Sequence, residues 1–155
     1  MRAFASLLLV LALHPCPAFA ETTVDRGSLK MTLPEGYEHK RIQGADSIVG
    51  DILISKPKLK VRYDIFDMGG PPKTLSERPE EERKSYIFSE ESDRDGIAYQ
   101  FFAVRIGRET DKCRLFLQIP KGYATFSVDL EKHSEIPAAR EALLRIKFAL
   151  PEEGR

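Results

Sequence analysis

Between Lys58 and Ile65 the chain alternates without exception. Leu59, Val61, Tyr63 and Ile65 fall on one side, and Lys58, Lys60, Arg62 and Asp64 on the other. Successive side chains of a β-strand point to opposite faces, so this period of two predicts a strand with one dry and one wet face. The constraint is strong, because a one-residue slip would put four apolar side chains in water. Paired with Ile48 to Ser55 across a turn at Lys56-Pro57-Lys58, the segment makes a hairpin. Leu29, Met31 and Leu33 alternate with Lys30 and Thr32 in the same way and predict an earlier strand that stops at the Pro34-Glu35-Gly36 turn.

Further strands follow. Ser85 to Glu90 has strand character, Ser92 to Gly96 reads as a turn, and Ile97 to Ile106 is apolar on both faces, which predicts a central place in the sheet. Cys113 to Ile119 and Ala124 to Glu131 form another hairpin around Pro120-Lys121-Gly122-Tyr123. Asp67 to Pro72 must be a loop, since Gly-Gly and Pro-Pro both end regular pairing. Thr74 to Lys84 is charged and exposed, with one helical turn after Pro79.

The period changes at the C-terminus. Ile136, Ala139, Leu143, Ile146 and Leu150 recur every three or four residues, the stripe of an amphipathic helix. Ser134 is the expected N-cap, Pro137 sits in the first turn, where no helical donor is missed, and Pro151 stops the helix. Arg140 and the Glu141–Arg145 pair belong to its wet side. These elements predict an α+β fold: an antiparallel sheet of about six strands packed against a C-terminal amphipathic helix.

The N-terminal segment has a different logic. Arg2 precedes an apolar run from Ala3 to Leu13, Pro15 and Pro17 break it, and Ala18-Phe19-Ala20 places small residues at the subsites of a signal peptidase. Residues 1–20 are therefore expected to be a cleaved signal, with Glu21 as the mature N-terminus. The run is too short for a retained span, which needs roughly 20 apolar residues. Bulky His14 and Pro15 before Cys16 do not fit a lipidation site. Residues 21–155 are then expected to form a single α+β domain, 135 of the 155 residues, large enough to bury a core without staples.

Cys113 is the one cysteine left after such cleavage, so no internal disulfide is possible. No Asn occurs in the sequence, which excludes N-linked glycosylation. Both facts point to a bacterial envelope, periplasmic or secreted. The chain has 24 basic and 24 acidic residues, and Arg2 leaves with the signal. A chain so balanced lacks the basic excess that nucleic acid binding requires. No later stretch is long and apolar enough for a stable membrane span.

Leu33-Pro34-Glu35-Gly36-Tyr37, the antiparallel middle and the terminal helix with its basic-apolar run resemble small exported domains of the PsbP/Mog1-like kind. Gly50-Asp51-Ile52 and Tyr63-Asp64-Ile65 are also similar to motifs of uncharacterised bacterial secreted proteins. The resemblance implies a non-catalytic accessory or assembly domain that binds an envelope protein or a small ligand, and it brings no catalytic residues with it.

Asp64 and Asp67 flank a strand end beside Gly69-Gly70, the one place where carboxylates meet permissive backbone. These four residues are the candidate ligand or partner site, with Asp51 within reach across the hairpin. Aspartates beside a glycine turn also serve as turn formers. With His39 or His133 they would instead suit a small hydrolase. Cys113 reads as a small hydrophobe at a strand start. Asp93-Arg94-Asp95-Gly96 reads as a tight turn, because Val104 stands where a calcium loop needs its bidentate Glu. The Lys58, Lys60, Arg62 row reads as a solvated face, with contact to an anionic surface as its functional alternative. Hydrolase, zinc and phosphate-loop signatures are absent from the sequence, so no cofactor or metal is expected.

Overall fold

The computed structural model describes residues 21–43, 47–66, 70–108 and 110–151. Among them are strands β1 (Thr22–Asp25), β2 (Lys30–Leu33), β3 (Tyr37–Ile42), β4 (Ile48–Ile54), β5 (Leu59–Ile65), β6 (Tyr86–Arg94), β7 (Ile97–Arg105), β8 (Cys113–Ile119), β9 (Ala124–Leu130) and β10 (Lys147–Ala149). Two helices, α1 (Glu80–Lys84) and α2 (Ile136–Leu144), complete the set of longer elements. Seven strands form one antiparallel sheet in the order β3-β4-β5-β9-β8-β7-β6, and β1-β2-β10 form a second. The α+β class is as expected, with more strands than the sequence announces. None of the helices described is long and apolar enough to cross a membrane.

The β4–β5 register explains the two short motifs. Gly50 stands directly opposite Tyr63, and Asp51 opposite Arg62. The Tyr63 ring lies across Gly50, where any Cβ would collide with the ring and its hydroxyl. Gly50→Ala should therefore cost about 1–3 kcal/mol through overpacking, read as a lower urea midpoint. Tyr63, Phe126, Phe101 and Leu117 are fully buried on the inner face of the large sheet. Phe148 of β10 packs edge-on to both Tyr99 and Phe126, bringing the small sheet against that face.

The C-terminal stripe is only partly helical. The helix ends at Leu144, and Lys147–Ala149 continues as a strand on β2. Leu144, Ile146 and Phe148 also carry a period of two, so the same residues satisfy either pattern. The unpaired edge of β2 and the slot between Tyr99 and Phe126 decide for the strand. Pro151 thus follows β10 and does not stop the helix. Ser134 is not the cap either: a turn of 3₁₀ helix covers His133–Glu135, and the Glu135 carboxylate accepts from the Glu131 and Lys132 amides at 3.0 and 3.2 Å. Pro137 lies in the first turn as expected.

Arg140 is not on a wet face. It binds the Glu90 carboxylate through two nitrogens, also reaches Glu141, and covers the Phe101 ring at 5.6 Å. This pairing replaces the anticipated Glu141–Arg145 contact and ties α2 to the edge strand β6.

Two meanders, β3-β4-β5 and β6-β7-β8-β9, share the large sheet. The segment from 70 to 85 crosses the outer face to the start of β6 at the far edge. Its Arg78 guanidinium lies 4.5 Å over Phe102 of β7, and Phe102 stacks between Tyr86 and Phe116. This strap is why β7 is apolar on both faces although it lies next to the edge and not at mid-sheet.

Candidate functional site

Asp64 lies on the outer face of β5, between Val49 of β4 and Thr125 of β9. From there the ladder continues through Gln118 of β8 and Gln100 of β7 to Glu91 of β6. Five strands thus line up a polar row across the outer face, Asp64-Thr125-Gln118-Gln100-Glu91. Gln100 and Gln118 are buried.

The strap closes over part of this row. Arg78 donates from one terminal nitrogen to the Gln118 side-chain oxygen at 2.9 Å, and Gln118 donates onward to the Thr125 hydroxyl at 3.3 Å. The other terminal nitrogen serves Glu82 at 2.5 Å and the Tyr86 hydroxyl at 3.0 Å. Hydrogen bonds from Tyr86 and Arg78 hold the Glu82 carboxyl below its ordinary pKa. A cleft of about 440 Å³ remains where the strap leaves β5, with Phe66, Pro72, Lys73, Arg78, Gln118 and Thr125 around it. Three buried polar atoms in this region have no hydrogen-bond partner among the described residues: Asp64 Oδ1, Arg78 Nε and Gln100 Oε1. Folded proteins rarely leave such atoms unpaired, because each carries its full desolvation cost.

Of the four site residues expected from sequence, Gly70 lines this cleft, and Asp64 stands in register beside its lining residue Thr125. Gly70 has φ 76°, a left-handed backbone that favours glycine. Asp67 and Gly69 lie outside the described residues. Asp51 shares the outer face, but its carboxylate is occupied, accepting from Lys60 at 2.8 Å and Arg62 at 3.2 Å.

Neither His39 nor His133 joins Asp64. His39 sits on the inner face of β3, stacked on Tyr63, and His133 lies beyond the far end of β9, 3.3 Å from Asp111. Cys113 is fully buried, and burial, with Asp111, Glu135 and Asp129 nearby, pushes its thiol pKa up. A buried, poorly ionised thiol suits the reading of Cys113 as a small hydrophobe. Asp93–Gly96 is the tight turn of the β6–β7 hairpin: Asp95 and Gly96 have φ 55° and 76°, and Asp93 accepts from the Gly96 amide at 3.1 Å.

His39 belongs to a separate cluster. Its Nε2 lies 2.8 Å from the Tyr63 hydroxyl and 3.3 Å from Arg26, which also donates to that hydroxyl at 3.1 Å. Burial first, and the Arg26 charge second, lower the His39 pKa from its ordinary 6.5. Neutral imidazole accepts these donors; imidazolium would repel Arg26. Because the unfolded chain takes up the proton first as pH falls, the contribution is complete above the unfolded pKa and is lost below it. Urea midpoints should drop between about pH 7 and pH 5, and His39→Gln should flatten that slope.

No protein-family model matches the sequence, and no curated protein is similar to it. A structure search finds the solution structure of cyanobacterial PsbP (CyanoP) from Synechocystis sp. PCC 6803, with a TM-score of 0.50 and 14% sequence identity over 90% of this chain and 99% of that one. The fold is PsbP-like. At that identity the likeness concerns the fold, and no residue of the cleft is transferred by it.

Within this PsbP-like frame, the residues that sequence reasoning missed are Arg78, Gln100, Gln118 and Thr125. Gln100 and Gln118 did carry a signal, each standing as an amide inside an apolar strand. Arg78 carried none, because its role depends on strands far away in the chain.

Proposed function

We propose that this chain is an exported accessory domain, periplasmic or secreted after cleavage following Ala20, that works by binding an envelope protein or a small ligand. Residues 21–155 act as one binding unit, and the cleft near Asp64 and Gly70, with Asp67 and Gly69 between them in the sequence, is its contact site. The observation that carries this reading is the set of buried polar atoms unpartnered among the described residues: Arg78 Nε at the cleft, and Asp64 Oδ1 and Gln100 Oε1 on the strands flanking its lining residues Thr125 and Gln118. Groups left unpaired at such a cost mark a place where the fold keeps hydrogen-bonding capacity for something other than itself. The PsbP-like fold supports an accessory role over a catalytic one. The alternative hydrolase, built on Asp64, Asp67 and a histidine, lacks its base in this arrangement, since His39 is on the opposite face and His133 at the opposite strand end.

Affinity capture from an envelope extract tests it, with the mature protein and the Asp64→Asn/Asp67→Asn variant as paired baits. The expected result is a protein or ligand held by the wild type and lost by the variant. Identical captures would overturn the assignment of this cleft.

A further inference from the structure

The outer face holds a second concavity, away from the strap. It measures about 420 Å³ and is lined chiefly by Lys58, Lys60, Arg62, Arg114, Ser127 and Asp129. Register brings them together: Arg62 stands between Asp51 and Ser127, and Asp129 opposes Arg114. Beneath them the Asp51 side chain, only 8% exposed, accepts from Lys60 at 2.8 Å and from Arg62 Nε at 3.2 Å. Burial alone would raise the Asp51 carboxyl, but the two cations outweigh it and hold it below its ordinary pKa. Asp51 therefore stays an anion and fixes both cations in place.

Donors are left over. Asp51 uses only Nε of Arg62, so both terminal nitrogens lack a partner among the described residues. Arg114 gives Nε and one terminal nitrogen to Asp129, at 2.5 and 3.0 Å, and keeps the other. Lys58 has no ion pair among the described residues, while Glu38 at the neighbouring strand faces Lys40 at 3.7 Å. Four cations against the carboxylates of Asp51 and Asp129 leave two positive charges in excess.

We propose that this concavity is an oxyanion site that takes a phosphate group, either free or on a phosphate ester. Two excess charges match a dianion, and guanidinium, ammonium and hydroxyl donors around one hollow suit tetrahedral oxygens. The proposal rests on other residues than the cleft at Asp64, whose Asp64–Thr125 pair is the next rung of the same face along β5 and β9.

Titration with inorganic phosphate, followed by backbone amide NMR against chloride at equal ionic strength, tests it. Saturable shifts centred on Arg62, Arg114 and Ser127 are expected. Arg62→Gln should weaken binding about tenfold, the scale of one charge-assisted hydrogen bond. Lys58→Gln, which removes no contact of the fold, should also weaken it. Sedimentation with vesicles containing phosphatidic acid, whose headgroup is a phosphate monoester, or of phosphatidylcholine alone, separates the sources. Binding to the former that free phosphate displaces assigns the group to a lipid headgroup; phosphate binding without vesicle binding assigns it to a soluble ligand. Chloride reproducing the shifts, both variants binding phosphate like the wild type, or an acidic peptide binding where phosphate does not, would overturn the proposal.

Discussion

Phe126→Ala should lower the free energy of unfolding by about 3–5 kcal/mol, the largest single effect expected in the chain. Phe126 is fully buried on β9, the middle strand of the seven. Its ring lies 5.9 Å from that of Tyr63 and meets Phe148 edge-on at 5.1 Å. Truncation removes one of the two aromatic contacts of the large sheet with Phe148 of β10 and opens a hole between two sheets that cannot both collapse into it. It also loosens Tyr63, whose hydroxyl holds His39 and Arg26. A urea titration reads the loss as a lower midpoint at an unchanged slope.

Leu143→Ala should cost about 2–5 kcal/mol by the same mechanism. Leu143 is fully buried on α2, together with Ile136, Ala139 and Ala142, whereas Glu141 on the same helix faces water. Glu141→Ala is the matched control and should change stability by no more than about 0.5 kcal/mol. Arg140→Ala is not a neutral surface change. It removes the bidentate contact to Glu90 and the cover over Phe101, and should fall between the two. Equal losses for Leu143→Ala and Glu141→Ala would show that α2 does not dock by its apolar face.

These residues also show how far the fold could be read from sequence. The Leu59–Ile65 alternation located β5 and its buried face because a half-buried strand imposes a period of two on its own residues. Edge strands impose less. Tyr37–Ile42 is mostly charged, pairs only with β4 and is half exposed, so it left no apolar pattern. The tail around Ile146 and Phe148 fitted two periods at once, and only a free strand edge far away in sequence selects between them. Asp64 and Gly70 were legible as a carboxylate beside permissive backbone. Arg78 was not: a charged residue in a charged segment looks solvated until the strap lays it over Phe102 and against Gln118.

If the cleft at Asp64 exists for binding, it is held against stability. A half-buried carboxylate with an unpartnered oxygen costs desolvation, so neutralising it should leave the fold as stable as before or more so. The decisive measurement is a calorimetric titration of the captured partner into wild type and Asp64→Asn/Asp67→Asn, with the Tm of each protein recorded beside it. The account predicts that the double variant loses binding while its Tm is unchanged or raised. A variant that melts lower and still binds like the wild type would make the aspartates turn formers and contradict the assignment.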